Sequence, residues 1–120
     1  MSCDYCLHCR KLMATRWRDS ADEIVDLVCR TFSVRREELM QFRGTAHVSF
    51  ARQVAFFLIR NLSSASFPAI GVYFQKDHST VMYGCAQIKE RMEKHPETAR
   101  LIAKMSLRVG TKREEERLAA

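Results

Sequence analysis

The sequence predicts an all-α fold of about five to six helices, on three observations. Only 2 prolines and 4 glycines occur in 120 residues, so long stretches lack the residues that interrupt helices. Apolar residues recur at three- and four-residue steps in successive segments. Hydrophobic residues make up 47% of the chain, enough for one modest core and too many for a disordered tail.

Each element follows from its local pattern. Residues 1–19 lack a clean helical period and carry three of the 5 cysteines, so they are expected to form a separate N-terminal arm. Ser20-Ala-Asp-Glu23 has the form of a capping box. Ile24, Leu27, Val28 and Phe32 then give the first helix its apolar stripe. A short second helix is expected over Arg35 to Met40, with Leu39 inward, followed by a polar loop from Gln41 to Ser49 that holds Arg43, Gly44 and His47. The third helix, Ser49 to Leu62, is apolar on most sides: Ala51, Val54, Ala55, Leu58 and Leu62 form one stripe and Phe50, Phe56, Phe57 and Ile59 fill the flanks. Such a helix belongs at the centre of the core. Ser66 is placed to cap a short helix from Phe67 to Phe74, with Pro68 in its first turn. Asp77 is placed to cap a long helix whose Val81, Cys85, Ile88 and Met92 share one face, and His95-Pro96 ends it. A last helix is expected from Glu97 to Val109, and the charged residues 110–120 form a tail.

Charge narrows the function classes. The net charge is +6 and the isoelectric point about 9.3, a balance that favours an anionic partner such as nucleic acid. No Asp or Glu lies between Glu38 and Asp77, whereas Arg43, Arg52, Arg60 and Lys76 do, so the middle of the chain carries one sign of charge. The longest apolar run, Val54 to Ile59, is too short to span a bilayer, and the N-terminus has no apolar signal region. A cytoplasmic, nucleoid-associated protein with no membrane partner is expected. No nucleophile stands with a supporting base in a recognisable motif, so no catalytic residues are assigned.

The pair Phe67–Phe74 and Asp77 onward, joined by Gln75-Lys76, has the layout of a helix-turn-helix with a long recognition helix. In such units the amino end of the second helix meets base edges in the major groove. The residues there suit that role. Lys76 can meet a phosphate, Asp77 can accept from a cytosine amino group, His78 and Ser79 can donate or accept, and Thr80 offers a hydroxyl and a methyl. The plainer roles of the same residues are an N-cap for Asp77, a surface histidine for His78 and a back-bonded hydroxyl for Thr80. Arg60 reads as a solvated charge, Ile70, Val81, Cys85 and Ile88 as core, and Gly71 as a close-packing position.

The runs Phe-Ala-Arg-Gln-Val-Ala-Phe-Phe-Leu-Ile-Arg (residues 50–60) and Phe-Pro-Ala-Ile-Gly-Val-Tyr-Phe-Gln-Lys-Asp-His-Ser-Thr-Val (residues 67–81) resemble the C-terminal DNA-binding domain, domain IV, of the bacterial replication initiator DnaA. The resemblance covers about Asp22 to Ile102. It implies binding of double-stranded DNA at a short asymmetric initiator-type box, as a monomer. It also implies a role in replication initiation or its regulation, or in transcription control. By the same resemblance Asp77, His78 and Ser79 match major-groove readers, with Thr80 completing the motif. Lys76 stands where the family usually has Arg, Arg52 matches an arginine of the DNA surface, and Phe67-Pro68 match a pair that packs near thymine methyls. The chain departs from the family in the loop before the central helix: Arg43 lies one position ahead of the arginine expected to enter the minor groove, and Gly44 holds that place. A Walker sequence is also lacking, so the chain reads as a stand-alone copy of the reading domain or as a fragment.

Cys3, Cys6 and Cys9 form a C-x2-C-x2-C run that a zinc ion could use, with His8 or Cys29 as a fourth ligand; the alternative is an arm with exposed thiols. Arg10, Lys11, Arg16, Trp17 and Arg18 could add phosphate contacts. Two other functions stay open at this point: a protein-interaction module that keeps the fold without binding DNA, and a metal-binding or redox-sensing arm that tunes the domain.

Overall fold

The computed structural model describes residues 7–41, 44–63 and 65–119, with side chains described for those within 17–109. Six helices follow in chain order: α1 (Leu7–Phe32), α2 (Arg36–Met40), α3 (Ala46–Leu62), α4 (Phe67–Phe74), α5 (His78–Lys94) and α6 (Pro96–Ala119). No strand occurs among the described residues.

The centre of the molecule is α3, as its all-round apolar sequence requires. Val48, Ala51, Val54, Ala55, Phe56, Leu58 and Ile59 are buried on it, and it packs against every other helix. Thr45 starts α3 four residues before Ser49, the expected first residue. Its hydroxyl accepts from the Val48 amide at 3.3 Å, so the N-cap lies inside what the sequence marked as loop. At the other end the Ser63 hydroxyl donates to the Ile59 carbonyl at 2.5 Å.

The first helix differs most from expectation. It runs unbroken through Ser20 and Glu23, so the capping-box pattern lies within the helix and the expected boundary at residues 19–20 falls mid-helix. The reason is Trp17. It stands one turn before Ala21 and continues the stripe of Ala21, Ile24, Val25 and Val28, all fully buried. The indole packs on Tyr73 of α4 with ring centroids 5.8 Å apart, so Trp17 belongs to the core and does not serve as an arm residue reaching for phosphate. Ser33, in the left-handed region at φ 56, stops α1, and the Val34 amide donates back to the Cys29 carbonyl at 3.0 Å. At the far end α6 continues past Val109 to Ala119 as helix, where a tail was expected.

Polar contacts fasten α1 and α2 to α4. Arg36 donates to Asp22 at 2.9 Å, to Asp26 at 3.3 Å and to the Tyr73 hydroxyl at 2.8 Å, while the Tyr73 hydroxyl donates to Asp22. Burial, together with the hydrogen bond to Asp22, holds the Tyr73 phenol well above its ordinary pKa. Among exposed groups such a network matters more for orientation than for stability.

The turn between α4 and α5 is the tightest point. Ser66 caps α4, accepting from the Ala69 amide at 3.2 Å, with Pro68 in the first turn. Gln75 ends α4 in the left-handed conformation at φ 57, and the Lys76 amide donates to the Gly71 carbonyl at 2.8 Å. A Cβ on Gly71 would lie 2.7 Å from the Lys76 carbonyl oxygen and 3.3 Å from the His78 amide nitrogen. Glycine is therefore required there by the returning backbone. Gly84 plays a parallel part in α5, where a Cβ would meet the Phe56 ring at 2.8 Å.

Gly71→Ala should lower stability by about 1–3 kcal/mol, because the clash is with backbone that cannot rotate away; urea denaturation followed by circular dichroism measures it. For Tyr73 the folded pKa is raised, so its contribution is present below the unfolded value of 10.0 and is lost as pH climbs past it. An ultraviolet titration should show a tyrosine ionising late, and Tyr73→Phe should remove that step.

Candidate nucleic-acid interface

Four exposed polar residues open α5: Asp77 as N-cap, then His78, Ser79 and Thr80. Val81, fully buried directly after them, roots the helix in the core and turns this first turn outward. The helix begins by backbone bonds, the amides of Thr80 and Val81 donating to the Asp77 carbonyl at 3.0 and 3.3 Å. Asp77 holds the N-cap position the sequence suggested; its carboxylate lies close enough to the His78 and Ser79 amides to be stabilised by them, without a well-aligned capping hydrogen bond. It also gathers the neighbouring side chains: Ser79 Oγ donates to Oδ2 at 3.0 Å, and His78 Nδ1 lies 3.1 Å from Oδ1. The Ser79 hydroxyl, foremost, and the adjacent His78 hold the Asp77 carboxyl below its ordinary pKa. The result is an ordered hydrogen-bonding cluster that displays an acceptor, an imidazole and two hydroxyls on an open helix end.

Other exposed or part-exposed residues lie on α4 and α5. Phe67 is half-buried beneath the Arg60 guanidinium, which sits 4.6 Å above its ring and also donates to the Ala65 carbonyl at 3.1 Å; Arg60 is exposed, as expected of a solvated charge, and anchored by these two contacts. Pro68 is exposed beside it. Met82 and Tyr83, which the sequence reading did not single out, are 47% and 62% exposed one turn beyond His78 and Ser79. Their signal was the i, i+4 continuation of the polar face, obscured because large apolar residues in a helix suggest core. Val72 of α4 is likewise exposed, at 67%.

Two of the expected DNA contacts have side chains engaged with backbone carbonyls. Arg52, placed on the DNA surface by resemblance, is 8% exposed with its guanidinium turned onto backbone. Nε donates to the Leu39 carbonyl at 2.7 Å, and Nη2 donates to the carbonyls of Glu38, at 3.2 Å, and Gln41. Removal from water holds its pKa down. Lys76, expected to meet a phosphate, is partly buried, and its Nζ donates to the Met40 carbonyl at 3.3 Å. Desolvation, and then the charge of Arg52, lower its pKa.

The expectation for Arg43 falls outside the described residues, as do those for Cys3, Cys6 and the Cys9 side chain. Among the described residues no group of His, Cys, Asp and Glu could hold a metal ion, and no helix is long and apolar enough to cross a membrane. Cys29 and Cys85 are half-buried free thiols; burial raises the pKa of both, that of Cys85 to about 11.

The family described as bacterial dnaA protein helix-turn-helix matches residues 21–88. Chromosomal replication initiator proteins DnaA are among the similar proteins. That of Synechococcus sp. (strain JA-2-3B'a(2-13)) is 37% identical over 87 residues, covering 72% of this chain and 19% of the relative. That of Deinococcus radiodurans is 46% identical over 84 residues, covering 69% and 18%. The chain thus spans about a fifth of the length of these relatives. A crystal structure of a DNA replication initiation factor superposes with a TM-score of 0.74 at 27% identity, covering 86% of this chain and 31% of that one.

Ser79→Ala should return the Asp77 titration toward the ordinary midpoint of 3.8, since the main hydrogen bond to the carboxylate is lost. Carboxyl-carbon NMR across pH 2–6 checks it; an unmoved midpoint would mean that the hydroxyl does not hold the carboxylate.

Proposed function

The chain belongs to the bacterial DnaA helix-turn-helix family, and from that premise we propose that it binds double-stranded DNA sequence-specifically through the amino end of α5. The observation that carries this reading is the exposed cluster of Asp77, His78, Ser79 and Thr80 on a helix held outward by Val81. In the major groove Asp77 would accept from a cytosine amino group, His78 and Ser79 would exchange hydrogen bonds with base edges, and the Thr80 methyl would meet thymine. Met82, Tyr83, Phe67 and Pro68 would supply apolar contact with thymine methyls and sugars. The first turn of α5 also suits phosphate, through its outward amides and dipole.

The biological role that fits is replication initiation or its control, through occupation of initiator-type boxes by one copy of the chain; regulation of transcription would use the same chemistry. The ordering of the cluster matters. His78 and Ser79 are already held on one carboxylate, so little side-chain freedom would be lost when they meet bases.

Fluorescence anisotropy with duplexes that carry or lack an initiator-type box tests the proposal. Tighter binding to the box is expected, with affinity that falls steeply as salt rises. His78→Ala should cost about 1–3 kcal/mol on the box and much less on unrelated duplex. Equal affinity for both duplexes would defeat the specific reading, and no binding to either, with a protein partner retained after nuclease treatment, would favour an interaction module.

A further inference from the structure

We propose that Arg52 and Lys76 form a strut that sets the α2–α3 loop against the helix-turn-helix, so that they act on DNA recognition by position and not as phosphate-contacting charges. The proposal rests on the DNA-binding reading above.

Helix α2 is only five residues long, and its final carbonyls have no later turn to receive them. Its last turn contains no basic residue of its own. The carbonyls of Glu38, Leu39, Met40 and Gln41 are nonetheless all satisfied, by two cations from elsewhere. Arg52 reaches from α3 to Glu38, Leu39 and Gln41, and Lys76 reaches from the α4–α5 turn to Met40. Two positive groups are thereby drawn to one cluster of carbonyl oxygens, close enough for the charge of one to bear on the other.

The connectivity has a mechanical meaning. The loop leaves α2 at Gln41, which Arg52 holds. Residue 44, on the far side of the loop, also lies near Arg52, a Cβ there being 3.9 Å from Nη2. Lys76 is the residue immediately before the cap of α5, and its amide is tied to Gly71 at 2.8 Å. Hydrogen bonds from Arg52 and Lys76 therefore converge on the consecutive carbonyls that end α2, and Lys76 passes directly along the chain into the cap of α5. A guanidinium suits the loop end because its fixed fork meets several carbonyls at once, whereas an ammonium has a single nitrogen.

Charge-preserving and charge-removing variants separate position from charge. Arg52→Lys keeps the charge and loses the fork, and Arg52→Gln loses both; Lys76→Gln probes the other end on a more exposed residue. Each is titrated with a box-containing duplex at several salt concentrations, with circular dichroism to verify folding. The strut predicts that Arg52→Lys weakens binding at least about tenfold, as loss of hydrogen bonds to a charged group would. The slope of log affinity against log salt should stay that of the unsubstituted chain for both Arg52→Lys and Lys76→Gln. Arg52→Lys binding like the unsubstituted chain, or a slope reduced by about 0.9 in Lys76→Gln, is the signature of direct phosphate contact and overturns it. If the unsubstituted chain binds no duplex, the functional reading fails instead. The strut is then judged by hydrogen exchange, where unchanged protection of the Gln41 and Lys76 amides in folded Arg52→Lys overturns it.

Discussion

Burial of one helix on nearly all its sides organises this molecule. Because α3 is apolar around most of its circumference, it can satisfy its sequence only by touching every other helix, and it does. The consequences reach the surface. Phe56 packs edge-on against Phe74 at the end of α4, with centroids 4.9 Å apart, and presses against Gly84 in the middle of α5. The two helices of the helix-turn-helix are thus seated on the same aromatic ring. The first turn of α5 projects because the following residue, Val81, is drawn into the same core. Core packing accounts for where the polar cluster points.

The polar chemistry is layered on that frame with little slack. Close to the core, cations serve backbone: Arg52 on the end of α2, Lys76 beside it, Arg60 on Ala65. At the surface, a single carboxylate arranges two neighbours. That carboxylate stands at the N-cap itself, so the order of the side chains that face solvent is set where α5 begins.

Much of this was legible in the sequence. The central helix, the short α4 with its Ser66 cap, the turn at Gln75-Lys76 and the buried face of α5 all follow from apolar spacing and local capping chemistry. What stayed hidden depends on partners distant in sequence. Trp17 was assigned to the arm because residues 1–19 show no clean helical period, and its contact with Tyr73, on a different helix, shows it to be core. The start of α3 was misplaced because Gln41 to Ser49 is polar and reads as loop, whereas the Thr45 hydroxyl caps the helix within it. Arg52 is the sharpest case. Its type and its neighbours suit a phosphate contact, but the needs of α2's last turn lie eleven to fourteen residues away and leave no mark in local pattern. Asp77, His78, Ser79 and Thr80 were legible as an exposed group, yet the division of the carboxylate between Ser79 and His78 was not.

The backbone of the α4–α5 turn lies directly on Gly71, so no side chain separates the two helices at their junction. Backbone contact of this kind resists pivoting more than contact through flexible side chains does. On the proposed function, the compliance the complex needs would then come largely from the nucleic acid: groove width and roll at individual base steps would have to adjust to the protein. Sites with pliant steps would be favoured over stiff ones of equal hydrogen-bonding pattern, so preference would extend to base pairs that no side chain touches.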